Sequence, residues 1–244
     1  MKSIFTSVFV VLYSFILQAQ SSDKTVYFDL AHKQRFWNDS KDMVPNIGLE
    51  DSSRINYLNQ ELDNTLGEFN AKVSFLKKTI TYELIKKGDL LILHVPSSKY
   101  EEKEIKAIQK FVNKGGKLLV VMEADYWTDL KKTNVNKILA PYEITYGEQS
   151  QDTLAGGYTK KGALHSEKLK VTYQLGRIVK GGTPFSFNSQ DNQPFGVYKK
   201  VKNGGRLVVL GDAMSSLYMT EWKGVSDYQC REFMLGIYRW LFNE

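Results

Sequence analysis

Three runs of almost unbroken apolar residues constrain this chain more than any other feature. They are Asp89 to Val95 (DLLILHV), Lys117 to Met122 (KLLVVM) and the LVVL of Gly204 to Asp212 (GGRLVVLGD). A strand with one wet face alternates polar and apolar residues, whereas a run with no polar face suits a strand buried on both sides, as in a parallel sheet covered by helices. Two of the runs share their entry. Val112 to Val121 (VNKGGKLLVV) echoes Val201 to Leu210 (VKNGGRLVVL), each with a glycine pair turning the chain into the strand. Carboxylates stand at each exit, Glu123 and Asp125 in the first case and Asp212 in the second. At this length the echo is a shared strand entry and not a domain repeat.

The remaining segments fit the same frame. Thr25 to Leu30 reads as a first strand, Ile55, Leu58, Leu62, Leu66 and Phe69 recur at helical spacing, and Lys72 to Leu76 reads as a second strand. Ser98 and Glu101 have the spacing of a capping box for a helix running to Asn113 with Ile105, Ile108, Phe111 and Val112 on its buried face. Tyr228 to Phe242 predicts a closing helix that carries Cys230 on its apolar face. Between these, Tyr142 to Lys200 is rich in Gly, Tyr, Phe, Asn and Gln, with alternating stretches at Leu169 to Tyr173 and Gly196 to Val201 that read as antiparallel strands. Strands alternating with helices predict an α/β fold with a mainly parallel, doubly wound sheet and a β-rich insertion over residues 142–200.

Residues 2–19 carry a lysine, an apolar run from Ile4 to Leu17 and the small Ala19, which reads as a signal peptide over 1–19. The run is too short for a spanning helix, so the expectation is a periplasmic or secreted protein of one domain, 20–244, with no membrane anchor after cleavage. The single cysteine, Cys230, excludes an internal disulfide. Lys and Arg exceed Asp and Glu by 33 to 27, a formal net charge of +6, which favours anionic partners. Nucleic acid is not expected, because no arginine-rich helix or aromatic RNA-binding strand accompanies the charge.

In open parallel sheets ligands bind beyond the carboxyl ends of the strands. The residues there are Asp29 and His32 after the first strand, His94 after the third, Glu123, Asp125, Tyr126 and Trp127 after the fourth, and Asp212 with Ser215 after the last. Lys33, Arg35, Phe36 and Trp37 open a long loop beside His32. A metal held by His32, His94 and a carboxylate is conceivable, but no spacing requires it, and no P-loop, dinucleotide fingerprint or HExxH is present. No cofactor is expected.

The segments FDLAHKQRFW (Phe28 to Trp37), Gly88 to Val121 and GGRLVVLGDAMSS (Gly204 to Ser216) resemble the class I glutamine amidotransferase-like domains. Within that class the chain resembles a secreted branch associated with degradation of uronic-acid polysaccharides. In true amidotransferases a cysteine nucleophile occupies the tight turn after the third strand. Here that turn reads His94-Val95-Pro96-Ser97-Ser98, which excludes glutamine hydrolysis by that route. The resemblance implies instead an oligosaccharide dehydratase, a hydro-lyase that eliminates water from a terminal uronate of ulvan-type fragments. An anionic oligosaccharide is then the partner. His32 and His94 would act as acid or base, with Tyr126, Tyr158 or His165 delivering the leaving-group proton. Arg35 and Lys33 would hold the carboxylate, Trp37 and Trp127 would stack on the sugar, and Glu123, Asp125 and Asp212 would line the site. The alternative is a non-catalytic module whose same face binds an acidic glycan or a protein.

Overall fold

The computed structural model describes residues 23–34, 36–38, 49–151 and 155–244, with the first three residues of the first helix described as backbone only. The 1–19 leader and Arg35 lie outside the described residues. In chain order the elements are β1 (Lys24–Asp29), α1 (Leu49–Gly67), β2 (Ala71–Leu76), α2 (Tyr82–Ile85), β3 (Leu90–His94), α3 (Glu102–Asn113), β4 (Lys117–Val121) and α4 (Val135–Leu139). There follow a 3₁₀ turn (Ala140–Tyr142), β5 (Thr145–Gln149), β6 (Gly157–Thr159), β7 (Lys170–Val171), β8 (Arg177–Lys180), β9 (Thr183–Asn188), β10 (Pro194–Lys200), β11 (Arg206–Leu210) and α5 (Cys230–Phe242).

One sheet holds nine of the strands in the order β2-β1-β3-β4-β11-β10-β9-β6-β7, and β5 pairs with β8 in a second, two-stranded sheet. The fold is α/β with a large mixed sheet. From β2 to β11 every pairing is parallel, and from β11 to β7 every pairing is antiparallel. The sheet is mixed where a mainly parallel one was expected, because β9, β6 and β7 extend it through β10. The echoed strands are neighbours, with Arg206 opposite Lys117 and Leu210 opposite Val121.

The unbroken apolar runs are explained by burial on both faces. Leu90, Ile92, Leu119, Val121, Val208 and Leu210 point into a core shared with Leu58, Leu62 and Leu66 of α1 and Phe233, Ile237 and Leu241 of α5. Leu91, Leu93, Leu118, Val120, Leu207 and Val209 point the other way, onto Ile105, Ile108 and Phe111 of α3 and Ile138 of α4. Each residue step flips the face, so successive residues of one strand serve the two layers in turn.

Three local expectations are corrected. The capping box of α3 sits at Glu101 and Glu104, not at Ser98 and Glu101, since the Glu101 amide donates to Glu104 Oε2 at 2.8 Å. The closing helix begins at Cys230, two residues after Tyr228. Only Lys170 and Val171 of the expected 169–173 strand are paired. The small sheet is pinned beside the parallel strands by Tyr146, whose hydroxyl stands 2.9 Å from the Val120 carbonyl and 3.0 Å from that of Leu210. Gly181 permits the turn from β8 to β9, for a Cβ there would stand 1.9 Å from the Glu143 carbonyl oxygen.

Candidate functional site at the strand exits

Beyond β1 the chain turns through Ala31 and His32, and the imidazole is buried between two carboxylates. Its Nδ1 lies 2.8 Å from Asp29 Oδ2 and its Nε2 lies 3.2 Å from Glu104 Oε2. A neutral imidazole donates from one nitrogen only, so two carboxylate acceptors call for the doubly protonated ring. Burial opposes that charge, but the hydrogen bonds and charges of Asp29 and Glu104 outweigh it and raise the pKa of His32 above 6.5. Tyr100 stacks on the ring at 3.8 Å and donates its hydroxyl to Asp29 Oδ2 at 3.0 Å, while Glu104 Oε1 accepts from the Ile80 amide at 2.8 Å. The cluster therefore clamps β1, the loop after β2 and the start of α3 together.

Beyond β3 the environment is of the opposite kind. His94 is buried among Phe28, Phe36 and Trp37, with ring centroids 6.0 to 6.1 Å away. Its Nε2 lies 2.9 Å from Ser216 Oγ, and that hydroxyl donates to the Ala213 carbonyl at 2.7 Å, so Nε2 carries the proton. Among the described residues Nδ1 has no hydrogen-bond partner. Burial pulls the pKa of His94 down to about 3, which keeps it neutral. The next residue, Val95, is fully buried and adopts φ +42°, a conformation that a β-branched residue rarely enters.

From this box an aromatic ladder reaches the surface. Phe28 meets Trp37 at 5.2 Å, Phe36 bridges His94 to Trp127 at 5.1 Å, and Trp127 meets Tyr126 at 4.9 Å. Its outer end is wet, with Trp127 38% and Tyr126 80% exposed.

The exits of β4 and β11 are bound to each other. Glu123 is buried and accepts from the Ala124 amide at 2.8 Å and from the Ala213 amide at 2.7 Å. Burial pushes its pKa up to about 7 against those two amides and the charge of Arg177. Asp212 accepts from the Met214 and Gln174 amides, each at 2.9 Å. Asp125 pairs with Arg177, a buried residue whose guanidinium also donates to the carbonyls of Glu123 at 3.0 Å and Thr128 at 3.1 Å.

The expected catalytic set is only partly assembled. His32, Lys33, Trp37, His94, Tyr126 and Trp127 are linked through the 31–37 loop and the aromatic ladder, with Lys33 at φ +52° and its carbonyl accepting from the Ser97 hydroxyl. Tyr158 lies on β6, donating to Asn192 Oδ1 at 2.9 Å, and His165 is buried against α5, bonded to the Phe233 carbonyl at 3.0 Å. Neither makes contact with the histidines after β1 and β3. A metal on His32 and His94 does not fit, because Asp29 and Glu104 occupy both nitrogens of His32, and among the described residues no three His, Cys, Asp or Glu side chains are grouped as an ion would need. Sequence reasoning missed Tyr100, Glu104 and Arg177. Each comes from an element remote in sequence, and Glu104 shows only as part of an ordinary helix start.

The strand exits thus define an α/β domain whose buried polar groups are spent on one another and on its own backbone, beside an exposed aromatic feature. A family model, the IFT52 GIFT domain, matches residues 50–158. In structure the chain is similar to "mmIFT52 N-terminal domain", at 19% identity over 91% of this chain and 98% of that one, with a TM-score of 0.65. It is also similar to Cytoplasmic Protein STM1381 from Salmonella typhimurium LT2, at 11% identity over 90% and 98% of the two chains with a TM-score of 0.58. A cold-adapted β-galactosidase from Rahnella sp. R3 contains the same fold in 31% of its chain, at 13% identity over 89% of this one with a TM-score of 0.55. No curated protein matches the chain.

These matches correct the sequence-based reading of function. The family model that matches part of the chain is the IFT52 GIFT domain, and no glutamine amidotransferase-like or ulvan-related family was found. The hydro-lyase activity, the anionic oligosaccharide partner and the periplasmic or secreted location are overturned by the same finding. The geometry gives the chemical reason for the first of these: the two histidines meant as acid and base are an ion-paired clamp and a sequestered neutral ring.

Proposed function

We propose that this chain is a non-catalytic protein-binding module, comparable in role to an intraflagellar transport component of the IFT52 type, and that its partner docks on the aromatic end of the strand-exit face. The observation that carries this is the ladder ending in Tyr126 and Trp127. Large aromatic side chains held by packing on one side and wet on the other are what binding hot spots are made of. Trp127 is backed by Phe36, and Gln34 fixes the loop that carries Phe36 by accepting from the Phe36 amide at 2.9 Å and the Trp37 amide at 2.7 Å. The surface is therefore preformed, which lowers the cost of association. In this reading residues 20–244 are one unit, with helices wound on both faces of the parallel strands and 142–200 as an embellishment, and Lys33, Trp127 and Tyr126 serve recognition while the buried Trp37 packs beneath them.

Photo-crosslinking from position 126 tests it. A defined protein adduct is expected with an otherwise native chain, and Trp127→Ser should abolish it while the chain stays folded, at a cost of about 1–2 kcal/mol for the part of the ring packed on Phe36. An adduct that survives Trp127→Ser at full yield, or no protein adduct at all, would remove this face from the function.

A further inference from the structure

We infer that the cleft over His32 is a docking site for an acidic peptide segment of a protein partner. This rests on the protein-binding reading above and names the chemistry that the partner must carry. The cleft, about 440 Å³, opens between the exit of β2 and the loop entering α3 and is rimmed by Lys77, Lys78, Thr79, Ser98, Lys99 and Glu101, with His32 and Glu104 in its wall. That space exceeds what a single small ion fills, given that a water molecule occupies about 30 Å³ in the liquid.

Its charge is unbalanced toward the outside. The two inward carboxylates, Asp29 and Glu104, are consumed by His32, Tyr100 and the backbone amides of Ile80 and Glu101. Glu101 is exposed and pairs at 2.8 Å with Lys103. Among the described residues Lys78 and Lys99 have no ion-pair partner, and both are exposed. The mouth thus offers two uncompensated ammonium groups, with Lys77 beside them and two hydroxyls between, above a buried imidazolium. Its complement is a run of Asp or Glu side chains with backbone carbonyls for the hydroxyls to reach. His32 in the cleft wall and Phe36 in the aromatic ladder are four residues apart in the chain, so an extended segment has an acidic stretch to lay in one and an apolar side chain to lay on the other.

Fluorescence polarisation of a short fluorescein-labelled Asp/Glu-rich peptide tests the site on the full chain. Binding should fall by about tenfold in Lys78→Glu/Lys99→Glu, which removes two exposed charge contacts and reverses their sign. It should also weaken as salt rises from about 0.05 M to about 0.3 M, where screening shortens the reach of such charges. The control Lys161→Glu/Lys202→Glu makes the same change in net charge elsewhere and should bind as the native chain does. Peptide binding that is absent, equal in both double variants, or displaced outright by anionic-lipid vesicles would overturn the proposal. The protein-binding reading fails separately: an adduct from position 126 that persists in Lys78→Glu/Lys99→Glu leaves that reading standing and sinks this one. Peptide binding without any protein adduct does the reverse.

Discussion

The exits of β1 and β3 are adjacent in one parallel sheet, and each ends beside a buried histidine, yet the two are built on opposite principles. His32 is made cationic by two carboxylates that would be intolerable in the interior without it. His94 is made neutral by an aromatic box that would be intolerable to a cation without counter-charge. A histidine at a strand exit is therefore no signature of acid-base chemistry. What surrounds it decides, and here one is a clamp and the other is packing.

The sharpest way to break the contrast is to remove a single partner at each exit. Asp29→Ala leaves the imidazolium with one carboxylate and the Tyr100 hydroxyl without an acceptor, so unfolding in urea should show a loss of about 3–5 kcal/mol. His94→Leu removes a ring with one orphaned nitrogen and should cost no more than about 1 kcal/mol at neutral pH, because an unsatisfied polar atom offsets much of the lost packing. Comparable losses at both positions would mean that the two exits are not built differently.

How much of this was legible in the sequence follows from the range of the interactions. The apolar runs of β3, β4 and β11 declare their double burial, and the echo at Gly115 and Gly204 declares a shared entry, because both properties are written in consecutive residues. The joining of β9, β6 and β7 to the main sheet is not written that way. Their pairing depends on β10 and on turns such as that at Gly181, whose need for glycine comes from the Glu143 carbonyl far along the chain. The site divides likewise. His32 and Trp127 were visible as residues after strands, whereas their roles depend on Glu104 and Phe36, which only the tertiary fold brings alongside.

A second difference should appear on the pH axis. The folded pKa of His94 lies near 3, below the ordinary 6.5, so the native state binds fewer protons than the unfolded chain between these values and stability is lost as pH falls through that window. The folded pKa of His32 is raised, so its contribution is complete below 6.5 and is lost as pH rises through the folded value. Relative to the native chain, His94→Leu should gain about 2 kcal/mol on going from pH 7.5 to pH 4.5, since each pH unit in the window is worth up to about 1.4 kcal/mol. For His32→Gln the deficit should instead shrink as pH rises above 7. Urea midpoints measured across that range read both, and parallel curves for the two variants would show that the histidines titrate alike.

The smallest effect concerns Val95, and it separates strain from packing at the β3 exit. A buried valine contributes about 1.5–3 kcal/mol through its side chain, but at φ +42° its Cβ is crowded by the backbone at a cost of about 1–2 kcal/mol. Truncation to alanine loses packing and keeps the crowding. Truncation to glycine loses slightly more packing and about 0.5–1 kcal/mol of chain entropy, yet relieves the crowding. The two variants should therefore be about equally stable at position 95. Val120, equally buried in β4 but not among the residues of positive φ, has no such crowding to relieve, and there glycine should fall below alanine by about 1 kcal/mol or more. If glycine is as inferior to alanine at 95 as at 120, the left-handed turn after β3 stores no strain, and the difference between the two exits reduces to their charges alone.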